Sequence, residues 1–213
     1  MTTSLILSTT AVPNTIENSI ETINAPLAQF LQHCHLPTDN ILAPIEERTT
    51  VIQSFERVIS ILPLPEREKA TYISKFAISI AVGLFDGALS FLWDETIQAL
   101  RKKIESFDIE YFYNVAMTIN SRYKGLVDPQ DLPAIGDHDL LEISRRIGLI
   151  DDMNHRRLDQ VNYFRNHGSA AHPNNISLSG FEILGFLETC LKYAICADFE
   201  IAVIQVKRLL ENI

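Results

Sequence analysis

The stretch VNYFRNHGSAAHPNN, residues 161–175, gathers Arg165, Asn166, His167 and His172 within eight positions, with Pro173 directly behind. A guanidinium is always cationic and grips phosphoryl oxygens in two-pronged fashion, stabilising charge that develops on them. A histidine titrates near neutrality and can take a proton from an attacking hydroxyl or give one to a leaving oxygen. Side by side, the two suit phosphate chemistry. RNA brings its own nucleophile, the 2′-OH next to the phosphate, so such a pair needs no metal in principle.

The same residues also have an ordinary structural explanation. Helices commonly end with Arg, Lys or His in the last turn and Gly just beyond, as Arg165, His167 and Gly168 do. His172 precedes a proline and so belongs in extended backbone. Two points favour chemistry. On a helical wheel Arg165 falls about 20° from Leu158 and about 40° from Val161, at the border of the apolar stripe. A cation there needs a partner, an interface or a ligand. A continuous helix would hold residues 165 and 172 about 10 Å apart, whereas a helix ending at Gly168, with His172 on the return, can bring the side chains closer.

The elements that position this stretch read as helices throughout. Apolar residues recur at helical spacing in residues 15–35 (Ile16, Ile20, Ile23, Leu27, Leu31), with Pro26 expected to kink or divide the helix. A second stripe covers roughly 45–62, with Pro44 before its first turn. A long helical region starts at Pro65 and runs to about 107. Gly83 and the Asp86–Gly87 pair are its points of bending, and ISIAVGLF reads as buried on every side. Asp108 caps a helix over 108–123, and Asp137 or Asp139 caps one ending near 147. The motif helix spans about 151–167. Ser179 and Glu182 have capping-box spacing and open a last helical region. The class is all-α, a bundle of antiparallel helices with short connections.

Composition narrows the function. With 213 residues and a net charge of −9, nonspecific nucleic-acid binding over the whole surface is disfavoured. Residues 141–172 are the exception, with five Arg against four acids. Three cysteines without CxxC spacing argue against a disulfide framework and a zinc site. The N-terminus lacks the basic start of a secretory signal, and charges interrupt every apolar run, so no membrane span is expected and a cytoplasmic location is. His33-Cys34-His35 looks metal-like, but alternate residues of a helix diverge, and no metal or cofactor is expected.

Arg165-Asn166 followed after six residues by His172, with Pro173 behind, resembles the R-x(4–6)-H motif of the HEPN superfamily. The polar residue after the Arg, the small residues before the His and the position between the last two helical regions fit that resemblance, which covers about residues 65–213. It implies a HEPN-like antiparallel helical bundle over 63–213, with 1–62 as an N-terminal helical extension. It also implies a metal-independent endoribonuclease that cuts RNA by 2′-OH attack, leaving a 2′,3′-cyclic phosphate. The expected form is a homodimer with both motif copies in one cleft, of the kind found among toxins and antiphage effectors, with an antitoxin or defence-system protein as a further partner. Carried over by position, His172 is the general acid or base, Arg165 binds the scissile phosphate, and Asn166 orients them. Some members carry a modifiable Tyr soon after the His, but Pro173-Asn174-Asn175 stands here, which puts that regulation in doubt. Arg156, Arg157 and His167 are candidate contacts to the RNA backbone, although a solvated face and a helix end account for them too. The other expectation is a HEPN-type dimerisation or RNA-binding subunit without catalysis.

Overall fold

The computed structural model describes residues 11–168 and 178–198. Among the described residues every regular element is helical. They are α1 (Ala11–His33), α2 (Ile45–Ile59), α3 (Leu64–Arg67), α4 (Thr71–Val82), α5 (Phe85–Glu105), α6 (Ile109–Ile119), α7 (Asp137–Arg146), α8 (Asp152–His167) and α9 (Gly180–Cys190). Two 3₁₀ turns, Ser121–Tyr123 and Pro129–Ala134, lead into α7, and a π-helical turn, Leu191–Ile195, continues α9.

Helix α5 is the axis of the core. Its buried residues (Ala88, Leu89, Leu92, Trp93, Thr96, Ile97 and Leu100 among them) lie on more than one face, so neighbours must cover it from several sides. Helices α4, α6, α8 and α9 do so. The expected long helix is three, α3, α4 and α5. The break between α4 and α5 falls at Gly83, which adopts φ +99°, a left-handed conformation that ends α4, and its N–H closes back on Ser79 and Ile80. Gly87 interrupts nothing; it lies in the first turn of α5. The break turns α4 back along α5, where Glu95 accepts a hydrogen bond from the Tyr72 N–H (3.1 Å).

The ISIAVGLF run is not buried all round: Ile80 and Phe85 are in the core, but Ile78 is 65% exposed. Ile78 stands about 200° around the helix from Phe76 and Ile80, on the side away from α5. Helix α1 also runs on through Pro26 without dividing.

Helix α2 contributes Val51, Val58 and Ile59 to the same core cluster as α5 and α9. Two devices lock it there. Gly180 lets α9 approach closely; a Cβ at that position would come within 2.5 Å of the Glu47 carbonyl oxygen. The Glu47 carboxylate accepts the Gly180 N–H at 2.5 Å. On the other side Arg48, 2% exposed, donates to the Ala43 carbonyl (2.6 Å) and to Asn24 Oδ1 on α1 (2.8 Å), and it fills the space that Gly83 leaves open. A buried guanidinium is tolerated only when it is satisfied in this way.

The caps follow the sequence where their signals were local. Asp108 accepts from the Tyr111 N–H (3.0 Å), and Ser179 and Glu182 form a reciprocal capping box. Helix α7 departs from expectation. Gly136 occupies its N-cap, and Asp137 and Asp139 stand in its first turn with their side chains committed elsewhere. At the far end of the bundle Lys103 of α5 donates to the Ala194 and Ala197 carbonyls, and burial pulls its ammonium down to about 8. The three cysteines are unpaired, and no described helix is long and apolar enough to cross a membrane.

Helices α7 and α8 are joined by charge as well as packing. Glu142 accepts from Arg145 (2.8 and 2.9 Å) and Arg146 (2.8 Å), and Arg145 reaches on to Asp152 of α8 (2.9 Å). The His155 ring of α8 lies 3.7 Å from the same Glu142. The Arg145 hydrogen bonds, helped by Arg146, hold the Glu142 carboxyl down at about 2 against an ordinary value of 4.5. A carboxyl depressed on folding contributes stability that is complete above its unfolded value and lost as pH falls through the folded one. Stability should therefore decline from about pH 4.5 toward pH 2, and Glu142→Gln should flatten that part of the urea-unfolding profile. Equal slopes for the two proteins below pH 4.5 would assign the acid sensitivity to other carboxylates.

Candidate functional site

Helix α8 starts at a well-made cap, where Asp151 accepts from the Asn154 N–H (2.7 Å), and ends where Gly168 N–H donates to the Phe164 carbonyl (2.6 Å). Leu158 and Val161 anchor it in the core. Asn162 is buried beside them, a polar residue 5% exposed, and its amide oxygen accepts from Asn166 Nδ2 (3.1 Å). Asn166 in turn accepts from Arg165 Nη1 (2.9 Å). A buried amide thus fixes an exposed one, which fixes the guanidinium. Such a relay removes rotamer freedom that a terminal arginine would otherwise keep.

The guanidinium is also held from below. Asp137 Oδ2 accepts from the indole Nε1 of Trp93 (2.8 Å) and stands 3.9 Å from Arg165 Nη1. Its other oxygen is 4.0 Å from Arg101 Nη2. Trp93 is completely buried, so its N–H has a fixed direction, and Asp137 meets it. Asp94, the next residue on α5, belongs to the same charge group. Burial pushes its carboxyl up, and Asp137 adds to this, against the pull of Arg165, Lys75 and Arg101.

Asn162, Arg165, Asn166 and Asp137 open into a cavity of about 290 Å³. Asn162, Arg165 and Asn166 form one wall. The start of α7, from Gly136 to Asp139, forms another, and Arg122 completes it. The cavity is lined by polar and charged residues, with two guanidinium groups, two side-chain amides, two carboxylates and the His138 imidazole on its wall. It can bind an anion through the arginines and orient it through the amides.

The structure therefore brings Arg165 and Asn166 together. His172 lies outside the described residues, four positions beyond Gly168. Arg156, Arg157 and His167 are not on the cavity wall. Arg156 is exposed, Arg157 stacks 4.5 Å over the Tyr193 ring, and His167 packs beside Tyr163 with ring centroids 4.5 Å apart. Among the described residues no group of three or more His, Cys, Asp or Glu side chains is arranged to share a metal ion.

On the cavity wall, sequence reasoning missed Asn162, Asp137, His138, Asp139 and Arg122. Asn162 had a signal, since it precedes Asn166 by one helical turn and so shares its face. Arg122 had none, because nothing local ties a 3₁₀ turn to the end of α8. No protein-family model, curated protein or solved structure matches this chain. Any functional reading must stand on its own residues.

Proposed function

We propose that this protein is a HEPN-type, metal-independent endoribonuclease acting as a homodimer, with Arg165, Asn166 and His172 as its reacting set. The observation that carries this reading is the Asn162–Asn166–Arg165 relay, which presents an oriented guanidinium to a polar cavity at the end of α8. The sequence that follows at once contains His172. Arg165 neutralises the scissile phosphate as charge builds on its oxygens, and His172 moves the proton of the 2′-OH or of the leaving oxygen. Asn166 holds the fork in register. In a dimer a second copy adds its own Arg165, raising the positive potential of a site set in an acidic chain. A role as an antiphage effector, restrained by a partner protein, belongs to the same proposal.

The decisive test is end-group analysis of RNA incubated in EDTA with wild-type and His172→Ala protein. Fragments ending in 2′,3′-cyclic phosphate, produced by the wild type alone, are the expected result. Cleavage that survives His172→Ala would remove His172 from the mechanism.

A second reading has its own support. Asp137 and Asp139 line the same cavity, and Asp137 stands within ion-pair distance of Arg165. That balance of charge also suits a HEPN-type subunit that binds RNA or dimerises without cutting. RNA binding with intact product under all of these conditions would favour it.

A further inference from the structure

Arg122 is a second arginine on the cavity wall, distant in sequence from Arg165. It lies in the 3₁₀ turn Ser121–Tyr123, which packs its buried Tyr123 into the core. An arginine with a side chain 58% exposed ordinarily samples many rotamers, and a surface ion pair fixes it weakly. This one is pinned three times. Its guanidinium carbon stacks 4.6 Å over the Tyr123 ring, and Nη2 donates both to the Tyr123 hydroxyl and to Asp139 Oδ2 (3.1 Å). The Tyr123 hydroxyl donates in turn to the same carboxylate oxygen (2.5 Å). Gly136 N–H, at the start of α7, donates to the same Tyr123 hydroxyl (3.4 Å). All of these anchors use the ring face or Nη2. Nε and Nη1 make no hydrogen bond to any described residue, so an oriented edge of the fork is left with unused donors.

We propose that Arg122 forms a second phosphate subsite, so that the cavity takes two consecutive phosphates of one single-stranded RNA segment, the first at Arg165 and the next at Arg122. This rests on the nuclease reading for the identity of the ligand. The volume supports a single strand. About 290 Å³ is at the low end for a ligand cleft, enough for one nucleotide unit and its flanking phosphates and too small for a duplex. The carboxylates on the wall are already engaged. Asp139 is held by Arg122 and Tyr123, and Asp137 by Trp93, with Arg101 and Arg165 at ion-pair distance. Asp139 therefore orients the Arg122 guanidinium while Asp137 is committed to Trp93, and a phosphate approaching the unused edge of Arg122 meets donors first.

The test is calorimetric titration of the full chain with two 2′-deoxy ligands that cannot be cleaved by 2′-OH attack. One is a dinucleotide with a single phosphate, and the other is the trinucleotide with two. A charge-assisted contact predicts that the added phosphate tightens wild-type binding about tenfold. Arg122→Gln should abolish that gain, Arg122→Lys should keep part of it, and Arg165→Gln should weaken both ligands. A wild type with no gain, or Arg122→Gln with the full gain, would overturn the subsite. Cleavage of the matching ribose trinucleotide separates the two proposals. An Arg122-dependent gain without cleavage keeps the subsite and ends the nuclease reading. Cleavage with a KM that Arg122→Gln leaves unchanged does the reverse.

Discussion

Under the proposed nuclease activity, Arg165→Ala should leave a folded protein that cleaves RNA about a thousandfold more slowly, with the loss in kcat and not in KM alone. The size follows from the role. A guanidinium that stabilises charge developing on a phosphoryl group acts mainly in the transition state, and removing it forfeits most of that stabilisation. The fold should tolerate the change because little depends on this side chain. Arg165 is about one-third exposed, and its ties are one hydrogen bond to Asn166 and a 3.9 Å approach to Asp137. Interactions of that kind contribute about 1 kcal/mol or less. Arg165→Lys tests the fork itself, since it keeps the charge and loses the two-pronged geometry, and should recover only a small part of the rate. Asn166→Ala should cost less than Arg165→Ala, because it releases the fork without deleting it. Single-turnover kinetics and thermal unfolding on the same preparations give both numbers. A rate within tenfold of wild type for Arg165→Ala would exclude Arg165 from the chemistry.

The end of α8 shows how far sequence alone could go. Periodicity set Arg165 at the border of the apolar stripe, and the side chain is indeed partly buried there. Local rules also placed the Asp108 cap and the Ser179–Glu182 box, because both partners of each lie within one turn. The surroundings of Arg165 were a different matter. Asp137 carried a sufficient local explanation as a helix cap, and that explanation concealed its partner, Trp93, 44 residues away. Arg122 was silent because its place on the cavity wall depends on how the 3₁₀ turn docks, which no periodicity encodes. Ile78 failed in the opposite direction. Uniform apolarity suggested burial on all sides, yet among the described residues no helix covers the outer face of α4 at Ile78.

The Trp93–Asp137 bond links core packing to the site, and its removal makes the second large prediction. Trp93 is fully buried on α5 and among the largest side chains in the core. Trp93→Ala should therefore cost about 3–5 kcal/mol, since the cavity left behind can close only in part. For a chain of this size that is a fall in Tm of about 10 °C. Trp93→Phe separates packing from hydrogen bonding. It keeps most of the apolar volume and deletes the indole N–H, leaving Asp137 without the donor that fixes its direction. The expected stability loss is smaller, about 1–3 kcal/mol. The effect on cleavage should be larger than that loss implies, because a released Asp137 can pair with Arg165 more closely and draw it from the phosphate. Asp137→Asn in the Trp93→Phe background should restore part of the rate by removing that competing charge. If Trp93→Phe cleaved at the wild-type rate, the indole would be a packing residue only, and Asp137 would hold its place by other means.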